Sequence, residues 1–257
     1  MGWRVVNISS RAKLELKMNY LVVRGDEGIK RVFLDEIAVL LIENTGCSIT
    51  AALLESLWKK KIIVVFCDSH RNPGAQLLPF TARFESNSQL FTQLKWTKKT
   101  KELVWAKIVR MKIAKQAENL NSINPEIAEK VYSYSLDVVA GDKTNREGHA
   151  AKVYFNALFS HEFTRDIECF ENAALNYGYS ILLSCVNRII VTYGYSTQLE
   201  VFHKNTFNQF NLGCDLMEPF RPIFDSVAKN AISAEFLSQE DKYRIQNTVN
   251  DRIWIDD

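Results

Sequence analysis

Residues 62–79 read IIVVFCDSHRNPGAQLLP, and the chain changes character across them. The run at 62–68 is short, apolar and β-branched, the signature of a buried strand. The stretch at 69–79 is crowded with turn formers and marks a break. Upstream the pattern is that of strands. KLELKM (13–18) alternates strictly, with Leu14, Leu16 and Met18 on one side and Lys13, Glu15 and Lys17 on the other, which predicts a half-buried strand. RGDEG (24–28) supplies a turn, and the sequence from Ile29 to Asn44 continues as β-branched, strand-like sequence. TAALLESLWKKK (50–61) has helical spacing at Leu53, Leu54 and Leu57.

Downstream the period becomes helical. Val104, Ile108 and Met111 fall at i, i+4 and i+7 of a helix over 89–120, and further helices are expected near 126–140, 146–160, 164–193, 214–232 and 239–250. The expected fold class is therefore α+β: a small β-rich N-terminal domain over 1–75, a linker at 76–88 and a larger all-α domain over 89–257. At 257 residues with 47% hydrophobic content, the chain can bury ample core. YSILLSCVNRIIVTYGY is broken by Asn187 and Arg188, so it reads as a core helix, and no membrane span is expected. The N-terminus, MGWRVVNISS, has no apolar signal-like run. Five scattered cysteines without a CxxC pair fit thiols in a reducing cytoplasm, not a disulfide framework or zinc knuckle.

Net charge is +2, yet residues 89–120 hold eight Lys or Arg against two acids. This concentration has two readings, a surface for a polyanion or a solvated helix face. Trp96 and Trp105 within it either stack on splayed bases or fill the core.

Two stretches carry chemistry. In GDKTNREGHAAKVYFNALFS (141–160), Thr144 and Glu147 fit a T-x-x-E capping box. Helix geometry also aligns Glu147 with Ala151, Tyr154 and Leu158, so the carboxylate begins the apolar face, where it needs a cation or hydrogen bonds. In FHKNTFNQFNLGCDLMEPFRP (202–222), His203 is joined by Asp215 and Glu218, and Pro219 and Pro222 interrupt the backbone bonding around the acids. One histidine and two glutamates suit a hard divalent ion such as Mg²⁺ or Mn²⁺. Taken singly, His203 also reads as a structural histidine and Glu218 as a helix-surface acid.

EGHAAKVYF, NAALNYGYSILLSCVNRIIVTYG and HKNTFNQFNLGCDLMEPFRP, in that order, resemble the CRISPR-associated adaptation integrase, and its type II branch most closely. The likeness runs through the whole chain, including LLESLWKKKIIVVFCDSHRNPGAQLLP. The resemblance implies a β-rich domain that helps form a homodimer and a helical catalytic domain. It implies a metal site of Glu147, His203 and Glu218, with Asp215 an accessory acid. Two departures accompany it: LEVFH (199–203) stands where the family often has a glycine and a second histidine, and the chain ends at IWIDD, earlier than the family does.

The activity implied is transesterification, in which the 3′-hydroxyl of a prespacer duplex attacks a phosphodiester at the leader–repeat boundary. A bound Mg²⁺ or Mn²⁺ would activate the hydroxyl and neutralise transition-state charge, and both glutamates must be ionised to hold it, so activity should fall at acid pH. Double-stranded DNA is the expected partner, bound largely through phosphates. Lys95, Lys98, Lys99 and Arg110 are candidate contacts on the basic element, and Lys204 and Asn205 flank the histidine. Arg221 either reaches the scissile phosphate or pairs with Glu218 or Asp225. A small companion adaptation subunit bridging two dimers and further type II adaptation proteins complete the expected partners. The alternatives are a metal-dependent nuclease acting on branched DNA and a non-catalytic DNA-binding scaffold. His70, His149 and His161 have no assigned role, His149 being nearest the site in sequence.

Overall fold

The computed structural model describes residues 2–69, 73–77, 86–231 and 238–248, and the fold is α+β. Strands β1 (Arg4–Ile8), β2 (Ala12–Lys17), β3 (Tyr20–Gly25), β4 (Gly28–Phe33), β5 (Ile37–Ile42) and β6 (Ser48–Ile49) come first. Helix α1 (Ala51–Lys59) and strands β7 (Ile63–Cys67) and β8 (Pro73–Leu77) follow. One sheet has the order β1-β5-β7-β8, with β5 parallel to both β1 and β7 and with β8 antiparallel. The other has the order β4-β3-β2-β6.

β5 and β7 show why the apolar runs are unbroken. Along β5, Val39 and Leu41 belong to a core shared with the helices, while Leu40 and Ile42 belong to a second, aliphatic core; along β7, Ile63 and Val65 face the first and Val64 the second. Strands buried on both faces need apolar side chains at every position.

Two strand expectations change. Met18 is 85% exposed because Met18 and Asn19 form a two-residue hairpin turn with positive φ, so β2 ends at Lys17. The apolar stretch from Ile29 is not one strand either. A 3₁₀ turn at Leu34–Glu36 divides it, and β4 and β5 enter different sheets.

The helical part consists of α2 (Ser86–Leu94), α3 (Lys98–Asn121), α4 (Pro125–Leu136), α5 (Arg146–Leu158), α6 (Phe170–Thr192), α7 (Asn211–Met217), α8 (Arg221–Ala231) and α9 (Gln239–Asn247). The expected helix over 89–120 is two, because the Thr97 hydroxyl accepts the Thr100 N–H and starts α3 afresh. The helix expected from 164 begins at Phe170, since the Asn172 side chain bonds the carbonyls of Thr164 and Ile167 and holds that segment as turns. The helix expected over 214–232 is α7, a 3₁₀ turn at Glu218–Phe220, and α8; the prolines remove donors, and the chain tightens without losing its course. Of the expected linker, residues 76–77 belong to β8 and 86–88 to α2, and 78–85 lie outside the described residues, as does His70.

The two parts share a core. Tyr177 on α6 donates to Glu43, which the Gln246 carboxamide of α9 also meets at 2.6 Å. Arg188 donates to the carbonyls of Lys61 and Gly2. Among the described residues no helix is long and apolar enough to cross a membrane, and all five cysteines are free.

Candidate metal and nucleic-acid site

α3 runs through the middle of the helical part, packed against α4, α5, α7 and α8. Its buried side carries Trp105, Ile108, Val109, Lys112, Ile113 and Gln116; of the expected stripe Ile108 is buried, while Val104 is 40% exposed. Lys112 is thereby carried into the core, and it was legible in the sequence only as one of eight basic residues.

The expected T-x-x-E box is absent. α5 is capped by Asp142, whose carboxylate oxygens accept the N–H groups of Arg146 (2.9 Å) and Glu147 (3.0 Å). Gly141, Asp142 and Asn145 all have positive φ, which folds the chain back so that Asp142 reaches the helix start. An acid in that place also meets the positive end of the helix dipole. Glu147, relieved of capping, points to Lys112, whose Nζ lies 2.6 Å from its Oε1.

Glu218 arrives from the opposite side, 3% exposed, on the 3₁₀ turn between α7 and α8. Its Oε2 is also 2.6 Å from Lys112 Nζ, and its Oε1 is 3.1 Å from Arg221 Nη2. Of the two readings for Arg221, the ion pair with Glu218 is the one seen, and the guanidinium lies over the Tyr179 ring. Burial opposes the charge on Lys112, but Glu218 and Glu147 together outweigh it, so its proton affinity is raised.

Asp215 is fully buried and holds the histidine loop. Its Oδ2 accepts the N–H groups of Val201 (2.7 Å) and Phe202 (2.9 Å), while its Oδ1 accepts that of His203 (3.0 Å) and lies 2.5 Å from His203 Nδ1. The hydrogen bond to Asp215 raises the His203 pKa against the opposing effect of burial, and the charges of Glu218 and Glu147 add to it. Both glutamates therefore lie within electrostatic reach of the imidazole, whose Nε2 is left for other work. Gly213 brings α7 this close to α6, because a Cβ there would meet the Asn187 side chain at 2.0 Å. Beneath the site, Asp225 is completely buried beside Tyr179 and Tyr154, and burial pushes its carboxyl up to about 6.

Among the described residues no three carboxylate, imidazole or thiol groups are gathered closely enough to surround an ion as they stand. The donor chemistry nonetheless fits one. Two carboxylates, one on α5 and one on the 3₁₀ turn before α8, converge on a single positive nitrogen, and the charges of both act on the His203 imidazole. A hard divalent ion takes oxygen ligands of this kind and tolerates one imidazole.

The departures at 199–203 have visible roles. Glu200 pairs with Lys101 at 3.3 Å, and Phe202 stacks on the buried Trp105 with ring centres 4.2 Å apart. Trp105 is core, so Phe202, 44% exposed, offers the aromatic face. Beside it lies a cleft of about 590 Å³ lined by Trp96, Lys98, Lys101, Lys143, Phe202 and Lys204, and by Glu102, which lies 3.9 Å from Lys98 and 4.0 Å from Lys143. Lys95 and Lys99 are exposed at the same end of α3. Arg110 is also exposed, though its guanidinium donates to the Val138 carbonyl. Asn205 accepts the Phe207 N–H, and Asn211 donates to the Asn205 carbonyl, so these carboxamides shape the loop itself. His149 lies against Tyr134.

The family described as CRISPR associated protein Cas1 matches this chain over residues 6–254. The CRISPR-associated endonuclease Cas1 of Neisseria meningitidis serogroup C is 37% identical over 226 residues, covering 88% of this chain and 74% of that protein. Among solved structures, a Cas1 protein from Thermotoga maritima superposes with a TM-score of 0.78 at 18% identity, covering 97% of this chain and 89% of that one. A casposase bound to its integration product gives 0.75 at 19% identity, covering 97% and 82%.

Proposed function

The chain belongs to the Cas1 family of CRISPR-associated proteins, and from that premise we propose that it is a DNA integrase of CRISPR adaptation. It joins the 3′-hydroxyl ends of a prespacer duplex to the leader–repeat boundary by transesterification. The observation that supports this reading most is the convergence of Glu147 and Glu218, 71 residues apart in the chain, on one buried cation beside His203.

In this reading Glu147, Glu218 and His203 through Nε2 hold Mg²⁺ or Mn²⁺, which supplies Lewis-acid polarisation of the reacting oxygens. Asp215 fixes the imidazole through Nδ1 and three backbone N–H groups, so Nε2 has one direction open to it. Arg221 fixes Glu218 from behind. Lys98, Lys101, Lys143 and Lys204 receive the phosphates of the entering strand in the cleft, and Phe202 and Trp96 meet its bases. The β-rich N-terminal part forms the homodimer, and a small companion subunit bridges two dimers on double-stranded DNA.

A 3′-hydroxyl duplex, a supercoiled target plasmid and Mg²⁺ or Mn²⁺, with and without the companion subunit, test the reading. Strand joining is expected. Cutting without joining would favour a branched-DNA nuclease, and binding without either a scaffold. Glu147→Ala should lower joining at least about a hundredfold, since even the residues behind metal ligands are worth that much. Undiminished joining by this variant in Mn²⁺ would remove the metal assignment.

A further inference from the structure

Lys112 is the residue that the proposed chemistry leaves unused. It sits at the middle of α3, with its side chain 11% exposed and its ammonium 2.6 Å from both Glu147 and Glu218. Its neighbours on the stripe, Val109, Ile113 and Gln116, are uncharged, so packing alone calls for no charge there. What calls for it is the pair of acids. Two carboxylates meeting in the interior repel each other and have lost most of their water; Arg221 meets Glu218 alone, so without Lys112 one negative charge of the pair stays unbalanced.

A divalent ion would solve the same problem in the same place. It must stand about 2 Å from carboxylate oxygens that now face the ammonium, and two cations cannot share that space. The side chain has a way out. Glu147 is 22% exposed while Glu218 is 3% exposed, so the site opens on the Glu147 side, and a lysine stem has the rotatable bonds to follow that opening.

We propose that Lys112 is a resident counter-cation that holds Glu147 and Glu218 in register until a divalent ion displaces its ammonium toward solvent. This rests on the reading that Glu147 and Glu218 hold the ion. The consequence is a site preorganised in the ion-free protein, at the expense of ion affinity, because every ion that binds competes with a charge already present. Neutral ligands, imidazole or water, would not face this competition; two carboxylates do.

The full-length protein is used, freed of metal, with MnCl₂ as the probe. Lysine acetylation followed by mass spectrometry should show Lys112 protected without ion and modified at least about five times faster at saturating Mn²⁺, with exposed Lys107 unchanged as the reference. In parallel, Mn²⁺ binding followed by electron paramagnetic resonance should be at least about tenfold tighter in Lys112→Met than in the wild type. Bound Mn²⁺ with Lys112 still protected, or equal or weaker binding by Lys112→Met, overturns the proposal while leaving the metal site standing. Failure of both proteins to bind Mn²⁺ overturns the metal reading and the proposal with it. Should Lys112→Met fail to fold, the acetylation of the wild type decides alone.

Discussion

Below the β1–β5–β7–β8 sheet, Leu14, Leu21, Leu34, Leu40, Leu53 and Leu57 pack with Val64 in a core of aliphatic side chains. Above it, the helices bury Lys112, Gln116, Asp142, Asp215, Glu218 and Asp225 among theirs. Of the buried polar and charged residues described, Glu43 alone comes from the strand-rich part. The aliphatic side gains stability in proportion to the area it removes from water. The helical side gives some of that up, since each buried charge has to be met by a partner to be tolerated at all. Charges kept under those terms are costly, and two of them, Lys112 and Asp225, have raised proton affinities.

The contrast can be broken most directly at Leu40. Leu40→Ala should lower stability by about 2–5 kcal/mol in chemical denaturation and leave Mn²⁺ affinity of the folded fraction unchanged. A selective loss of ion binding would mean the two cores are not separable in this way.

Asp215→Asn acts on the other side. It keeps the shape but removes the charge opposite His203, and strand joining should fall about tenfold to a hundredfold. The metal-free protein gives a second readout. His203 titrates above its ordinary value because of Asp215, so the pair stabilises the fold below the unfolded histidine value, and that contribution fades as pH rises through the folded one. The variant should lose this fading together with the raised histidine titration, which NMR follows directly.

Asp225 runs the opposite way for a carboxyl. Its folded value is pushed up to about 6 from an ordinary 3.8, chiefly by burial. Its contribution is therefore complete below the ordinary value and is lost as pH rises toward about 6, where the group must ionise in the interior. Asp225→Asn should flatten the fall in melting temperature over that window. A profile unchanged by the substitution would show that Tyr179 and Tyr154 offset the effect of burial and leave the carboxyl at its ordinary value.

The smallest effect is expected at the rim. Glu200→Ala breaks the pair with Lys101 and should change stability by no more than about 1 kcal/mol. It should strengthen DNA binding at low salt by removing an acid beside the cleft, and the gain should vanish as salt is added.

Much of this was legible beforehand, and the misses have physical causes. Strand and helix periods separated the two parts, the apolar stripe it begins singled out Glu147, and the prolines around it drew attention to Glu218. Met18 was misread because a two-residue hairpin turn can take a Met-Asn pair that carries no glycine. The cap of α5 was misread because T-x-x-E matched the spacing while Asp142, in a left-handed turn, reached the helix start first. On α3 the expected stripe holds the buried Ile108 but passes over Trp105 and Lys112, because a 24-residue helix packed on several sides has no single apolar stripe to find. Starting the stripe at Trp105 would have put Lys112 inside and raised the question of its partner.

By itself, the sequence determined where strands give way to helices, and that an acid on an apolar face needs company. These follow from local period and side-chain chemistry. Only the tertiary structure decided that the company of Glu147 and Glu218 is Lys112, and that Asp215 serves His203. Helical period fixes the direction in which a side chain leaves its own helix, but which helix waits there depends on burying all the faces at once.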